Sequence, residues 1–139
     1  KIEELKEGHY FEYLVNNYNG LTKKFGRVDG ILFHQGEEDN NPQGVKDYYN
    51  NFSEFISNLK DEGINIPIYL SRVSLCKKTP INNKLTNIQN QLIKDFDMIK
   101  EGPNTDLLSK KSERIKDYCH FSLEGYDKFS DMWVELLIK

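Results

Sequence analysis

The 139-residue chain is poor in the residues that staple small folds or bind metals, with two cysteines, three histidines and one tryptophan. Cys76 and Cys119 stand in no Cys-x-x-Cys spacing, so they neither demand a disulfide framework nor form a zinc site, and the redox compartment stays open. The histidines have no ligand spacing around them, and no metal or other cofactor is expected. No apolar run approaches the roughly 18–20 residues that cross a bilayer as a helix, and Lys1-Ile2-Glu3-Glu4-Leu5 lacks the apolar core of a signal peptide. Charge of one sign is also missing. Nineteen Lys and Arg face 22 Asp and Glu, a net charge of −3, and no window mixes basic residues with aromatics as a nucleic-acid groove or a polybasic membrane patch would. Neither nucleic acid nor a membrane surface is an expected partner. Internal repeats and low-complexity linkers are absent as well.

What is present is enough for one folded domain. Hydrophobic residues make up 37% of the chain and aromatics 12%, too much Tyr, Phe and Ile for a disordered segment despite a mean hydropathy of −0.69. Periodicity divides the sequence into alternating helical and extended pieces. Tyr10, Leu14, Val15, Tyr18 and Leu21 predict a helix from about His9 to Lys24. Val28 to His34 reads as a short buried strand ending in a polar cluster. Val45, Tyr48, Tyr49, Phe52, Phe55, Ile56 and Leu59 form the clearest helical stripe, stopped by Gly63. Ile64 to Val73 reads as a second strand, with Pro67 near its start. Pro80 is expected to open a helix through Leu85, Ile88 and Leu92. Asp97 to Lys100 is a weaker strand. Ser122 is the expected N-cap of a last helix whose buried face would be Leu123, Tyr126, Phe129, Met132, Trp133, Leu136 and Leu137. This alternation implies an α/β fold with a parallel sheet, where sites collect at the carboxyl ends of the strands.

Two clusters stand where that rule points. His34-Gln35-Gly36-Glu37-Glu38-Asp39 follows the first strand: Gly36 permits a tight turn, Gln35 offers an amide donor and Glu37 can orient a neighbour or meet a hydroxylated ligand. Asp39, Asn41, Gln43 and Gly44 match the start of a calcium loop, but Asn50 replaces the bidentate Glu and the preceding helix is missing. Asp117-Tyr118-Cys119-His120 precedes the last helix. A carboxylate three residues ahead of an imidazole can accept the Nδ1–H, fix the tautomer and leave Nε2 as a general base. A Cys119–His120 nucleophile pair is disfavoured, because adjacent residues of an extended segment point apart.

Taken in order, Ile31-Leu32-Phe33-His34-Gln35-Gly36-Glu37-Glu38-Asp39 and Asp117-Tyr118-Cys119-His120-Phe121-Ser122-Leu123-Glu124-Gly125 resemble the His-Gln-Gly-Glu block and the final Asp-x-x-His block of sialate O-acetylesterase-like carbohydrate esterases of the SGNH hydrolase superfamily. The resemblance implies a three-layer α/β/α, flavodoxin-like fold and a serine esterase removing acetyl groups from carbohydrate. By position, His120 would be the base, Asp117 its orienting partner and Gln35 an oxyanion donor, with Glu37, Gly36 and His34 supporting the loop. Family members carry the nucleophilic Ser in a Gly-rich turn near the N-terminus, and no such turn occurs here. The resemblance therefore implies that residues 1–139 are the C-terminal part of one esterase domain, with the Ser supplied by a missing N-terminal segment or a companion chain. Ser71 and Ser74, near a strand end, are the nearest substitutes within the chain. The reading from a different class is a non-catalytic module that uses the Gln35 to Asn41 loop to hold a glycan or a protein.

Overall fold

The structure is a computed structural model and describes residues 1–77 and 79–138. Three parallel strands, β1 (Ile31–Phe33), β2 (Ile68–Arg72) and β3 (Ile99–Asn104), lie in the order β1-β2-β3. Ile31 pairs with Ile68 and Phe33 with Leu70, while Ile68 pairs with Ile99. Parallel neighbours need crossover connections, which here are helices, and the chain is of the mixed α/β, flavodoxin-like class. Helix α3 (Pro42–Asp61) joins β1 to β2 and α4 (Asn83–Asp95) joins β2 to β3. Two helices, α1 (Ile2–Leu5) and α2 (His9–Phe25), precede the sheet, and α5 (Leu123–Leu137) follows it.

The stripe on α3 explains the core. Tyr48, Phe52, Phe55, Ile56 and Leu59 are all buried, spread over about three turns of one helix face. Phe33 of β1 meets Phe52 and Phe55 with ring centroids 5.1 and 5.8 Å apart. Ile68, Leu70, Ile99, Leu85 and Leu92 complete this layer. Asn41 caps α3, its side chain accepting from the Gly44 N–H at 2.9 Å, with Pro42 at the first helical position. Gly63, at φ 75°, ends the helix region in the left-handed conformation that glycine tolerates best.

Several expectations change. The first two strands are shorter than the apolar runs suggested, β1 keeping Ile31–Phe33 of Val28 to His34 and β2 keeping Ile68–Arg72 of Ile64 to Val73, so Pro67 lies just outside β2. Pro80 lies outside α4, which starts at Asn83 because Asn82 caps it through the Lys84 N–H. The β3 strand runs further than expected, to Asn104. Its pairing with β2 gains an extra residue between Glu101 and Asn104, so Pro103 sits at a bulge where its missing N–H is tolerated. The apolar stripe of α5 is only partly covered: Leu123 is 85% exposed, Tyr126 and Leu137 are also exposed, and Phe129, Met132, Trp133 and Leu136 are half-buried. The helix lies against β3, and the described residues supply nothing to cover the rest of its apolar side. On β1, Leu32 points away from Phe33 and is 53% exposed.

Candidate active site

The polar ends of the three strands converge. After β1, His34 places Nε2 3.0 Å from the Thr105 hydroxyl, which follows β3. Its ring packs 5.0 Å from Phe129 and 5.8 Å from Phe121. Burial lowers the His34 pKa, outweighing the Glu37 carboxylate 3.8 Å from Nδ1, so the imidazole is neutral at pH 7. The His34 ring is thus packed and hydrogen-bonded where the ends of β1 and β3 meet.

Gln35 is held at both ends. Its carbonyl accepts from the Tyr48 hydroxyl at 2.8 Å, and its side-chain amide donates to Asp39 Oδ2 at 2.7 Å. Its Oε1 is buried and has no hydrogen-bond partner among the described residues. One amide N–H donates to Asp39, and the amide makes no second donation among the described residues. Asp39 is itself buried and also accepts from the Ile2 N–H at 3.0 Å. With Asp39 turned inward and Asn41 spent on capping, two residues of the calcium pattern serve the fold instead. Glu37 Oε2 accepts from the Gly36 N–H at 3.1 Å. Gly36 is glycine for lack of room, since a Cβ there would collide with the Val73 carbonyl and sit 2.7 Å from Gln89 Nε2. Gln89 in turn holds both backbone polar groups of Val73, at 2.9 and 3.0 Å.

The second cluster forms on a hairpin. Arg114 pairs with Phe121 as an antiparallel bridge, the Ile115 N–H donating to the His120 carbonyl at 2.9 Å and the Ser122 N–H to the Glu113 carbonyl at 3.0 Å. In the turn, Tyr118 takes φ 56°, which lets the Cys119 and His120 N–H groups both donate to Asp117 Oδ1, at 2.9 and 3.0 Å. Asp117 Oδ2 lies 2.5 Å from His120 Nδ1. The His120 hydrogen bond first, and then these two backbone donors, bring the Asp117 pKa down to about 2. At neutral pH Asp117 is an ionised acceptor, so the His120 Nδ1 facing it is the donor of this hydrogen bond. The His120 side chain is 70% exposed, and its Nε2 has no hydrogen-bond partner among the described residues. Such a pair can take a proton at Nε2 and stabilise the resulting imidazolium.

Ser71 and Ser74 do not serve as nucleophiles in this arrangement, because both are fully buried. Ser74 Oγ donates to Asp106 Oδ2 at 2.6 Å and accepts from the Asn82 N–H at 2.8 Å. Cys119 is not a thiol but half of a disulfide with Cys76, which ties the hairpin to the loop after β2. The even cysteine count was the only sequence signal for that bond. Thr105, Asp106 and Arg114, all buried and all engaged with these loops, had no local signal, because each finds its partners across the fold.

A family model described as carbohydrate esterase, sialic acid-specific acetylesterase, matches residues 1–139. None of the curated proteins matches the chain. The solved X-ray structure of a protein from Arabidopsis thaliana aligns with 99% of this chain at a TM-score of 0.78 and 19% identity, covering 55% of that protein's chain. The chain thus spans about half the length of that relative, and at this identity the likeness is one of fold.

Proposed function

The chain belongs to the sialic acid-specific acetylesterase family of carbohydrate esterases, and from that premise we propose that it supplies the base half of a serine esterase acting on O-acetylated carbohydrate. The observation that carries the reading is the Asp117–His120 pair, with Nδ1 2.5 Å from an ionised carboxylate and Nε2 open to solvent. In the proposed reaction a serine from an N-terminal segment or a companion chain gives its Oγ proton to His120 Nε2 as Oγ attacks the acetyl carbonyl. The free amide N–H of Gln35 donates to the developing oxyanion. His120 returns the proton to the departing sugar oxygen, then activates water to cleave the acetyl-enzyme and release acetate. Glu37, Gly36 and His34 hold the Gln35 loop.

Two surfaces support the participation of a further segment. The outer edge of β1 pairs with no strand among the described residues, and apolar Leu32 is exposed beside it. Tyr10, Tyr13, Leu21 and Ile31 line an apolar groove of about 440 Å³ between α2 and β1. An unpaired parallel edge flanked by apolar surface is what an additional strand would cover. The test joins residues 1–139 to the nucleophile-bearing segment and measures p-nitrophenyl acetate hydrolysis. His120→Ala is expected to lower kcat by about 10⁴-fold or more, as removal of the triad base does in serine hydrolases, and the isolated chain to show little activity. Unchanged activity in His120→Ala overturns the assignment. The alternative, a binding module built on the Gln35 to Asn41 loop, is favoured by the burial of Ser71 and Ser74. Glycan binding without hydrolysis, with the upstream segment present, would select it.

A further inference from the structure

The hairpin bearing Asp117 and His120 rests on a buried cation. Arg114 is 4% exposed, and it takes part in none of the ion pairs among the described residues. Its guanidinium instead donates to three backbone carbonyls: Nε to Leu108 at 2.7 Å, Nη2 to Thr105 at 2.9 Å and Nη1 to Cys119 at 2.5 Å. The ring of Phe121 lies beneath it, with its centroid 4.2 Å from the guanidinium carbon. Burial draws the Arg114 pKa down, and the carboxylates of Glu37, Asp106, Glu113 and Asp117 oppose that shift from longer range. A planar fork of five donors can satisfy three separate carbonyls at once, whereas the point charge of a lysine cannot do so from one place.

The identity of those carbonyls gives the contact its meaning. Cys119 immediately precedes His120, and its own N–H is one of the two that hold Asp117. Thr105 stands at the end of β3, and its hydroxyl meets His34 Nε2. One side chain therefore connects the His34 loop, the end of β3 and the His120 hairpin. We propose that Arg114 is a positioning residue for the Asp117–His120 pair: it fixes the turn whose N–H groups orient Asp117 and registers that turn against the His34 loop. The catalytic consequence rests on the esterase reading above, but the positioning itself does not.

The experiment uses the full chain and two variants, Arg114→Met, which keeps the length and apolar stem, and Arg114→Lys, which keeps the charge. Amide hydrogen exchange is followed at Cys119 and His120 and, for reference, at Leu70 and Ile99 in the core, together with the Asp117 carboxyl titration by NMR. In Arg114→Met, exchange at Cys119 and His120 is expected to rise about tenfold or more while the core amides change little, the signature of local opening. Over the same change the Asp117 midpoint moves up from about 2 toward the ordinary carboxylate range. Arg114→Lys falls between the two, and if Arg114→Met does not fold, Arg114→Lys is judged by the same criteria. Equal acceleration of core and hairpin amides with an unmoved Asp117 midpoint, or no change at either, overturns the proposal. In the nucleophile-supplied enzyme, Arg114→Lys should lower kcat by about tenfold with little change in KM, the pattern of a group acting through the base and not on substrate. Hairpin loosening in an enzyme indifferent to His120→Ala would sink the esterase reading and leave the positioning role standing.

Discussion

Replacing both Cys76 and Cys119 by alanine tests the tether on the other side of the hairpin. The bond closes a loop with a sequence separation of 43 residues. For a loop of that length the chain-entropy relation gives about 13 cal/mol/K of lost freedom in the unfolded chain, or about 4 kcal/mol at 25 °C. Cys76 is buried, so alanine is chosen over serine to avoid leaving a hydroxyl without a partner. The other contacts of the hairpin, the Arg114 hydrogen bonds and the Phe121–Phe129 packing with centroids 5.1 Å apart, stay in place. The variant should therefore fold with reduced stability. With a urea m-value of about 2 kcal/mol/M, the unfolding midpoint is expected to fall by about 2 M. Equilibrium unfolding followed by circular dichroism at neutral pH, for the oxidised chain, the reduced chain and the double variant, makes the measurement. The reduced chain should resemble the variant. A variant midpoint within about 0.3 M of the oxidised parent would refute the entropic argument, and two free thiols in the native chain under non-reducing conditions would refute the bond itself.

The Asp117 carboxyl, whose folded pKa is depressed to about 2, supports the hairpin fully above its unfolded value and loses that support as the pH falls. Protection of the Cys119 and His120 amides should accordingly persist at about pH 5 and disappear as the pH drops through about 2, and loss of protection already near neutral pH would contradict the pair. Gly36→Ala places a Cβ against the Val73 carbonyl and 2.7 Å from Gln89 Nε2, so it should cost about 1–3 kcal/mol and displace Gln35. Thermal unfolding reads the first effect and the chemical shifts of the Gln35 side chain the second, and a variant as stable as the parent would show that the loop has room to move.

Several elements were legible without the fold because their signals are local. The α3 stripe from Tyr48 to Leu59 follows the 3.6-residue period, and Ser122 caps α5 through the Gly125 N–H three residues on. Asp117 and His120 are also close enough in sequence to meet across one turn, so the spacing alone proposed the pair that the structure places at 2.5 Å. Pro80 misled because proline reports where a helix is permitted to begin, while the side chain of Asn82 decided where it did. The α5 stripe misled for a related reason: periodicity identifies which residues share a face, but cannot say what lies opposite. Leu123 is thus both part of an apolar stripe and exposed.

By itself the amino-acid sequence determined the alternation of helices and strands, the aromatic side of α3, and two polar clusters whose order resembles an esterase family. Tertiary structure decided everything that depends on residues distant in the chain. It brought Cys76 to Cys119 and buried Ser71 and Ser74, committed one Gln35 N–H to Asp39, and set Arg114 between Thr105, Leu108 and Cys119. The division has a physical cause. Propensity, capping and turn chemistry act over about four residues, whereas burial and long-range hydrogen bonds exist only once packing has brought separate segments within a few ångströms.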